Sequence, residues 1–360
     1  MDQLSTFLDS IPVLGVVFQL IGYLIATVPV IAPVFVAAAA PVALGALCGI
    51  MNERSGVVNI GIEGMMLSSA FTAFLVAALV AQAIGPTTPL PLFGATVPII
   101  VGVIAAVLTG MLVSTLHAWL SISIRADQII SGTIINILAF GLTSYLNRLI
   151  ISPNPRLGAG IFQPLGLPSF LADMPLIGWL FRGFLAHGPI AISVLILVAF
   201  LQIWLFRSRW GLRTRAVGEH PKAAETVGID VIKLRYRNVI LGGIFAGLAG
   251  AYLTLELSGS FQNNMTGGRG FIALAAVIFG RWTPLGAFGA ALLFYSAEAL
   301  RVAISLSPPV GDLGNVVRAI PPEFYGALPY VLTLVVLVAA VGRSVPPAAV
   351  GKPYARETRA

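Results

Sequence analysis

Charged residues are scarce in this sequence. Asp, Glu, Lys and Arg together make up 10% of the 360 residues, whereas hydrophobic residues make up 58%. A soluble domain carries roughly 25% charged residues, so this chain has too little polar surface to cover a water-soluble core. The scarcity excludes an ordinary soluble protein. It predicts an all-α fold, a polytopic bundle of transmembrane helices.

Cysteine, histidine and catalytic motifs are equally scarce. The single cysteine, Cys48, excludes an internal disulfide, and His117, His187 and His220 lack the spacing of metal ligands. The sequence contains no P-loop, no HExxH and no GxSxG motif. We therefore predict no metal site and no catalytic residues. Any energy for the function must come from a partner or an ion gradient.

Long apolar runs are what the sequence has instead. A helical span needs about 20 mostly apolar residues. Nine long runs reach about this length, and they cover 13–31, 33–50, 62–84, 97–122, 128–151, 188–206, 239–257, 285–306 and 324–341. A tenth, shorter apolar run covers 271–280. The small residues of 241–253 are typical of close helix–helix contact.

The basic residues indicate an orientation. Segment 207–237 carries eight of the 21 Lys and Arg residues, which predicts a cytoplasmic location, whereas 152–187 carries two and is predicted to be external. Both termini are then cytoplasmic, which requires an even number of crossings, so 271–280 should contribute to a broken tenth crossing. The net charge of +7 lies in short loops between apolar runs, so the predicted partner is the lipid bilayer and not a nucleic acid. The predicted parts are a cytoplasmic N-terminus at 1–12, a membrane domain at 13–342 and a cytoplasmic tail at 343–360.

Two Gly-rich interruptions stand out, one in each half of the chain. The first is Glu53–Met66 and the second is Gly259–Gly286. Interrupted helices in corresponding halves are a sequence signature of a transport site. A broken helix exposes backbone groups, which must then face protein or a water-filled path.

Polar residues at these interruptions have two readings. Asn59 and Glu63 are four residues apart and would share one face if the stretch is helical, where they could line a substrate path, or Glu63 could simply cap the helix that begins near residue 62. Asn136, inside a span, either forms hydrogen bonds between helices or lines the path. Phe261 and Phe271 flank the second interruption and could stack on a ring. The predicted substrate-path residues are Asn59, Glu63, Asn136, Phe261, Asn264 and Phe271.

The segment 207–237 is unusual for a plain connector. Its sequence predicts a short helix from Pro221 to Val227 that ends at Gly228. Small Ala223 and Ala224 would give it a flat contact face, which could lie on lipid or dock on a soluble partner.

Several motifs carry a family resemblance from about residue 35 to 342. RAVGEHPKAAETVGID resembles the coupling-helix loop of permeases of bacterial ATP-binding-cassette (ABC) importers, in the branch that serves branched-chain amino acids, ribose-type sugars and nucleosides. SGVVNIGIEGMM, ADQIISGTIINILAFGLT and NMTGGRGFIALAAVIFGRWTPLGAFGAALLF are similar to its nucleoside subgroup. The resemblance implies an inner-membrane permease that moves nucleosides by alternating access and is not itself an enzyme.

The resemblance also implies partners. They are an ABC ATPase subunit that binds ATP and Mg²⁺, a second, related permease chain in a heterodimer, and an extracytoplasmic substrate-binding lipoprotein. The alternatives are a ribose-type sugar permease and, in a different class, an ion-coupled secondary transporter. The residues implied in ATPase coupling are Gly218, Glu219, Ala223, Ala224 and Gly228.

Overall fold

The computed structural model describes residues 12–88, 95–174, 177–321, 324 and 344–355. These residues form helices joined by short connections, with no β-strand among them, which confirms the predicted all-α class. The helices are α1 Pro12–Glu53, α2 Ile62–Ile84, α3 Val97–Ala118, α4 Gln128–Leu146, α5 Ser169–Ala172, α6 Gly178–Leu185, α7 Pro189–Arg207, α8 Arg209–Glu219, α9 Pro221–Thr226, α10 Val231–Ala251, α11 Arg269–Phe279, α12 Pro284–Leu306 and α13 Gly311–Ala319.

One long helix replaces two predicted spans. Helix α1 is continuous over 42 residues, so the prediction of separate spans at 13–31 and 33–50 was wrong. At 1.5 Å per residue the helix is about 63 Å long. It passes through three prolines, which neighbouring groups in a membrane protein can accommodate.

Most of the other predicted spans agree closely with helices, although α10 begins at Val231 and not at the predicted residue 239. Helix α2 has the predicted bounds, and seven helices of the described residues are long and apolar enough to cross a membrane. Helices α3, α4 and α10 each continue into a π-helical turn, at 119–123, 147–151 and 252–258. The predicted span 324–341 lies outside the described residues, except for Phe324.

The chain divides into two compact units. The larger unit comprises 39–165, 187–291 and 343–360, and its centre is helix α10 packed on α2 and α3. The predicted close contacts of 241–253 are confirmed here. A methyl group added to Gly243 would lie 2.5 Å from the carbonyl oxygen of Gly110, and one added to Gly250 would lie 2.5 Å from that of Met66.

The smaller unit comprises 1–38, 166–186 and 292–342. Within it, the side chain of Gln19 accepts a hydrogen bond of 2.9 Å from the backbone N–H of Leu313 in the first turn of α13. Tyr23 donates to the carbonyl of Ser307 at 3.0 Å. The two bonds join α1 to the segment that follows α12.

Candidate functional site

The non-helical part of the first interruption, residues 54–61, turns the chain back on itself; we call it the first break. Helix α1 ends at Glu53, and helix α2 begins at Ile62, which lies beside the last turns of α1 and not past its end. A methyl group placed on Gly49 would lie 3.4 Å from the side chain of Ile62, and one on Gly45 would lie 3.5 Å from it. Helix α2 therefore begins beside the last turns of α1, and the first break runs back along them.

Side chains satisfy the backbone of the first break. The N–H of Val58 donates to Gln128 Oε1 at 2.7 Å. His117 Nε2 lies 2.9 Å from the Val58 carbonyl oxygen, and because a carbonyl only accepts, Nε2 carries the proton. The other ring nitrogen then accepts from the Ser131 hydroxyl at 3.1 Å. Neighbouring helices thus replace the hydrogen bonds that a helix would have supplied.

Two asparagines complete this set of bonds. Asn136 on α4 accepts from the N–H of Gly64 at 2.7 Å and donates to the carbonyl of Ile60 at 3.0 Å. Asn59 is fully buried and accepts from the N–H of Gly61 at 3.0 Å. Asn136 therefore makes the interhelical bonds that were one of its two predicted roles, and its role in a substrate path remains a prediction.

Glu63, in the first turn of α2, binds the second interruption. Its carboxylate accepts from the backbone N–H groups of Gly268 at 2.8 Å and Gly270 at 2.6 Å. These groups lie at the start of α11, where a negative charge is favourable. Glu63 thus caps α11, a helix that is distant in sequence, although the sequence pattern had offered a cap for its own helix.

Two residues hold the other end of α11: Glu53, the last residue of α1, and Arg54, the first residue of the first break. Arg54 Nε donates to the carbonyl of Trp282 at 2.8 Å, and its Nη2 donates to the carbonyl of Arg281 at 3.2 Å. The indole N–H of Trp282 donates to the Glu53 carboxylate. Arg281 and Trp282 have φ of 53° and 54°, the left-handed turn that ends α11. Glu53 and Arg54, at the start of the first break, and Glu63, just after it, therefore bind the two ends of α11.

The remaining substrate-path candidates lie on the second interruption. Phe261 is buried and packs edge-to-face on Phe71 of α2, with 5.2 Å between ring centroids. Asn264 is exposed in a tight turn with a φ of 55°, and Phe271 on α11 is 49% exposed. The structure thus brings Asn59, Glu63 and Asn136 together around the first break, while Asn264 and Phe271 present exposed surface.

The short helix predicted in 207–237 is confirmed as α9, which ends one residue earlier than predicted. Gly228 follows it with a φ of 84°, a conformation that favours glycine. Ala223 is exposed, but Ala224 is 4% exposed and packs in a cluster of this chain's own side chains. The predicted flat face of two alanines was therefore wrong for Ala224, because the helix turns that residue inward. The cluster comprises Val217, Ala224, Val231, Leu234 and Tyr354.

The tail residues 344–355 pack on the same segment. The N–H of Ala349 donates to the carbonyl of Gly218 at 2.9 Å, and the N–H of Ala348 donates to the Glu219 carboxylate at 3.1 Å. Tyr354 donates to the carboxylate of Glu225 on α9. A cleft of about 780 Å³ remains between the start of α9 and the tail.

Sequence reasoning missed Arg54, Arg235, His117 and Gln128. Arg235 is 2% exposed, and it donates to the carbonyls of Ser55 and Lys352, each at 3.1 Å. Arg54 is outside the spans, where burial lowers the pKa of its guanidinium and the neighbouring Glu219 partly restores it. One signal was available, since Arg54 is a charged residue within the Gly-rich interruption Glu53–Met66.

Comparisons with known proteins show the family to which the chain belongs. Residues 32–337 match the family described as the permease component of the branched-chain amino acid transport system. The chain belongs to this family. It is a multi-pass permease component of an ABC transporter, a class that works with a separate ATPase and a substrate-binding protein.

Three relatives cover nearly the whole chain. The guanosine ABC transporter permease protein NupQ of Bacillus subtilis is 38% identical over 92% of this chain and 98% of that protein. The nucleoside ABC transporter permease protein NupC of Lactococcus lactis is 36% identical over 87% and 93%. A candidate glucose ABC transporter permease protein, TsgC13 of Haloferax volcanii, is 34% identical over 86% and 91%.

Proposed function

We propose that this chain carries nucleosides across the bacterial inner membrane as the permease of an ATP-driven importer. The observation that carries the transport role is the meeting of the two interruptions, where Glu63 of the first binds the N–H groups of Gly268 and Gly270 in the second. Non-helical backbone at such a meeting point is tolerated where it borders protein or a water-filled path. The names of the relatives NupQ and NupC support the substrate class.

The substrate path in this proposal follows the two interruptions. Asn59, Glu63 and Asn136 position the first break, and Phe261, Asn264 and Phe271 belong to the second. The half-exposed ring of Phe271 offers a face on which a nucleobase can stack. A nucleobase is planar and a sugar is not, so the aromatic residue favours a nucleoside over a ribose-type sugar.

The complete importer contains three kinds of partner in this proposal. An ATPase subunit binds ATP and Mg²⁺ and docks at the exposed side of α9. A second, related permease chain pairs with this one in a heterodimer, and an extracytoplasmic lipoprotein delivers the substrate. The segment 207–237 and the tail lie in the cytoplasm, and 152–187 lies outside.

The test is uptake by a reconstituted complex. Proteoliposomes that contain this chain with its ATPase and second permease, and the binding lipoprotein on the substrate side, should accumulate labelled guanosine only when ATP reaches the ATPase. Labelled ribose serves as the competing substrate, and an ionophore serves as the control for gradient-driven transport. Uptake of ribose but not guanosine would favour the sugar permease. Uptake that the ionophore abolishes and that needs no ATPase would overturn the importer proposal.

A further inference from the structure

The segment 207–237 contacts the first break at two places. Gly218, at the end of α8, has no side chain, and a methyl group there would lie 2.2 Å from the carbonyl oxygen of Arg54 and 3.6 Å from the backbone nitrogen of Gly56. Arg235, on α10, donates to the carbonyl of Ser55 at 3.1 Å. Helix α9 lies between Gly218 and Arg235 in the chain, so the first break is held on both sides of that helix.

Arg54 faces two ways. Its carbonyl oxygen lies against Gly218, while its guanidinium binds the carbonyls of Arg281 and Trp282 at the end of α11. The guanidinium also lies over the ring of Phe206, at 5.6 Å from the centroid, and Arg215 of α8 lies over the same ring at 5.1 Å. One residue therefore touches both the segment that carries α9 and the end of α11.

Helix α11 is continuous over 11 residues, so its two ends are joined by unbroken helix. It packs along α1, where methyl groups on Gly45 and Gly49 would each lie 2.9 Å from a side-chain carbon, that of Ala273 and that of Val277 respectively. Close packing of this kind leaves no gap between the two helices. A push at the Trp282 end of α11 thus reaches its other end, which Glu63 caps.

We propose that Arg54 is a positioning residue that transmits displacement of α9 to α11. The proposal rests on the function proposed above, in which the ATPase docks at α9. A shift of α9 moves Gly218, Gly218 moves the backbone of Arg54, and the guanidinium carries the motion to the end of α11. Both interruptions then change position together.

The chemistry of the contact calls for arginine. A guanidinium is a planar fork that can bind two carbonyls while it stacks on a ring, whereas an ammonium is a compact point charge. Arg54→Lys should therefore keep the charge and lose part of the fork. Arg54→Ala should lose both.

The experiment measures coupling in reconstituted vesicles with guanosine as the probe. We expect Arg54→Ala to retain the co-purifying ATPase. The amount of nucleoside transported per ATP hydrolysed should fall at least about fivefold, the lower end of the usual coupling between two sites. Arg54→Lys should fall between this variant and the unmodified complex. Arg125→Ala is the control, since Arg125 is an exposed arginine on the connection between α3 and α4.

A second variant covers the case in which Arg54→Ala fails to fold. Gly218→Ala acts on the same contact from the other side and should lower the same ratio. Thermal unfolding of each purified complex separates loss of coupling from loss of stability. An unchanged ratio in both Arg54→Lys and Gly218→Ala would overturn the relay, as would loss of the ATPase itself from Arg54→Ala. Failure of the unmodified complex to show ATP-dependent uptake would instead overturn the proposed function.

Discussion

At the scale of single residues, buried polar side chains replace backbone partners. Val58 illustrates this, because its N–H and its carbonyl are bound by Gln128 and His117 from two different helices. In a bilayer each unpaired backbone group would cost several kcal/mol, so these polar residues are needed in an otherwise apolar chain. Glu63 does the same for α11 and adds a favourable charge at its positive end.

Replacing Glu63 with glutamine should impair uptake while the complex still assembles. A carboxylate accepts from both Gly268 and Gly270, whereas the glutamine amide would turn an NH₂ group toward one of these N–H groups. A buried donor left without its acceptor costs about 1–3 kcal/mol. We expect a lower temperature of thermal unfolding and slower guanosine uptake. Normal transport kinetics would remove Glu63 from the site.

Gly270, which donates to Glu63, allows a second test of this contact, with a glycine elsewhere in the chain as the matched control. A methyl group on Gly270 would lie 2.5 Å from the backbone nitrogen of Glu63, so Gly270→Ala should reproduce the defect of Glu63→Gln. On α4, by contrast, a methyl group on Gly141 would meet nothing within 4 Å. Gly141→Ala should therefore leave stability and uptake unchanged. Equal behaviour of the two alanine variants would contradict the cap.

At the scale of elements, the sequence predicted local structure well and distant contacts poorly. The bounds of α2, the short helix α11 and the short helix α9 follow from apolar runs, Gly and Pro. No local sequence pattern indicates that the Glu63 side chain binds residues more than 200 positions away. The same limit hid the burial of Ala224, because the Tyr354 side chain that helps to cover it belongs to the tail. Helix α1 was mistaken for two spans because its apolar sequence was divided into runs of about the length that one crossing needs, whereas its 42 residues form one helix.

The orientation of α9 decides which alanine contacts a partner. Ala223→Trp should weaken ATPase binding or uncouple hydrolysis while the chain stays inserted and stable, because the exposed Ala223 is free to meet the ATPase. Ala224→Trp should instead lower stability by about 1–3 kcal/mol, since overpacking a full core is destabilising. The measurements are ATPase co-purification, substrate-stimulated hydrolysis and thermal unfolding. Ala223→Ser is the control, and an unaffected complex with Ala223→Trp would leave α9 as a plain connector.

At the scale of the whole molecule, the tail and the segment 207–237 must lie on one side of the membrane. The bonds from Ala348 and Ala349 to Glu219 and Gly218 join them directly. The excess of Lys and Arg in 207–237 predicts that this side is the cytoplasm. The contact and the charge are independent observations, and together they predict that the C-terminal residues lie in the cytoplasm.

Labelling of single cysteines in intact cells tests this topology. Val227 and Val345 are each 76% exposed, and a side chain on Gly158 would meet nothing within 4 Å, so cysteine should be tolerated and reactive at all three. An impermeant thiol reagent added outside should label Gly158→Cys alone, and the other two only after permeabilisation. The unmodified chain is the control, because its one cysteine, Cys48, is fully buried. Labelling of Val227→Cys and Val345→Cys from opposite sides would contradict the packing of the tail on α9, and labelling of both from outside would invert the orientation.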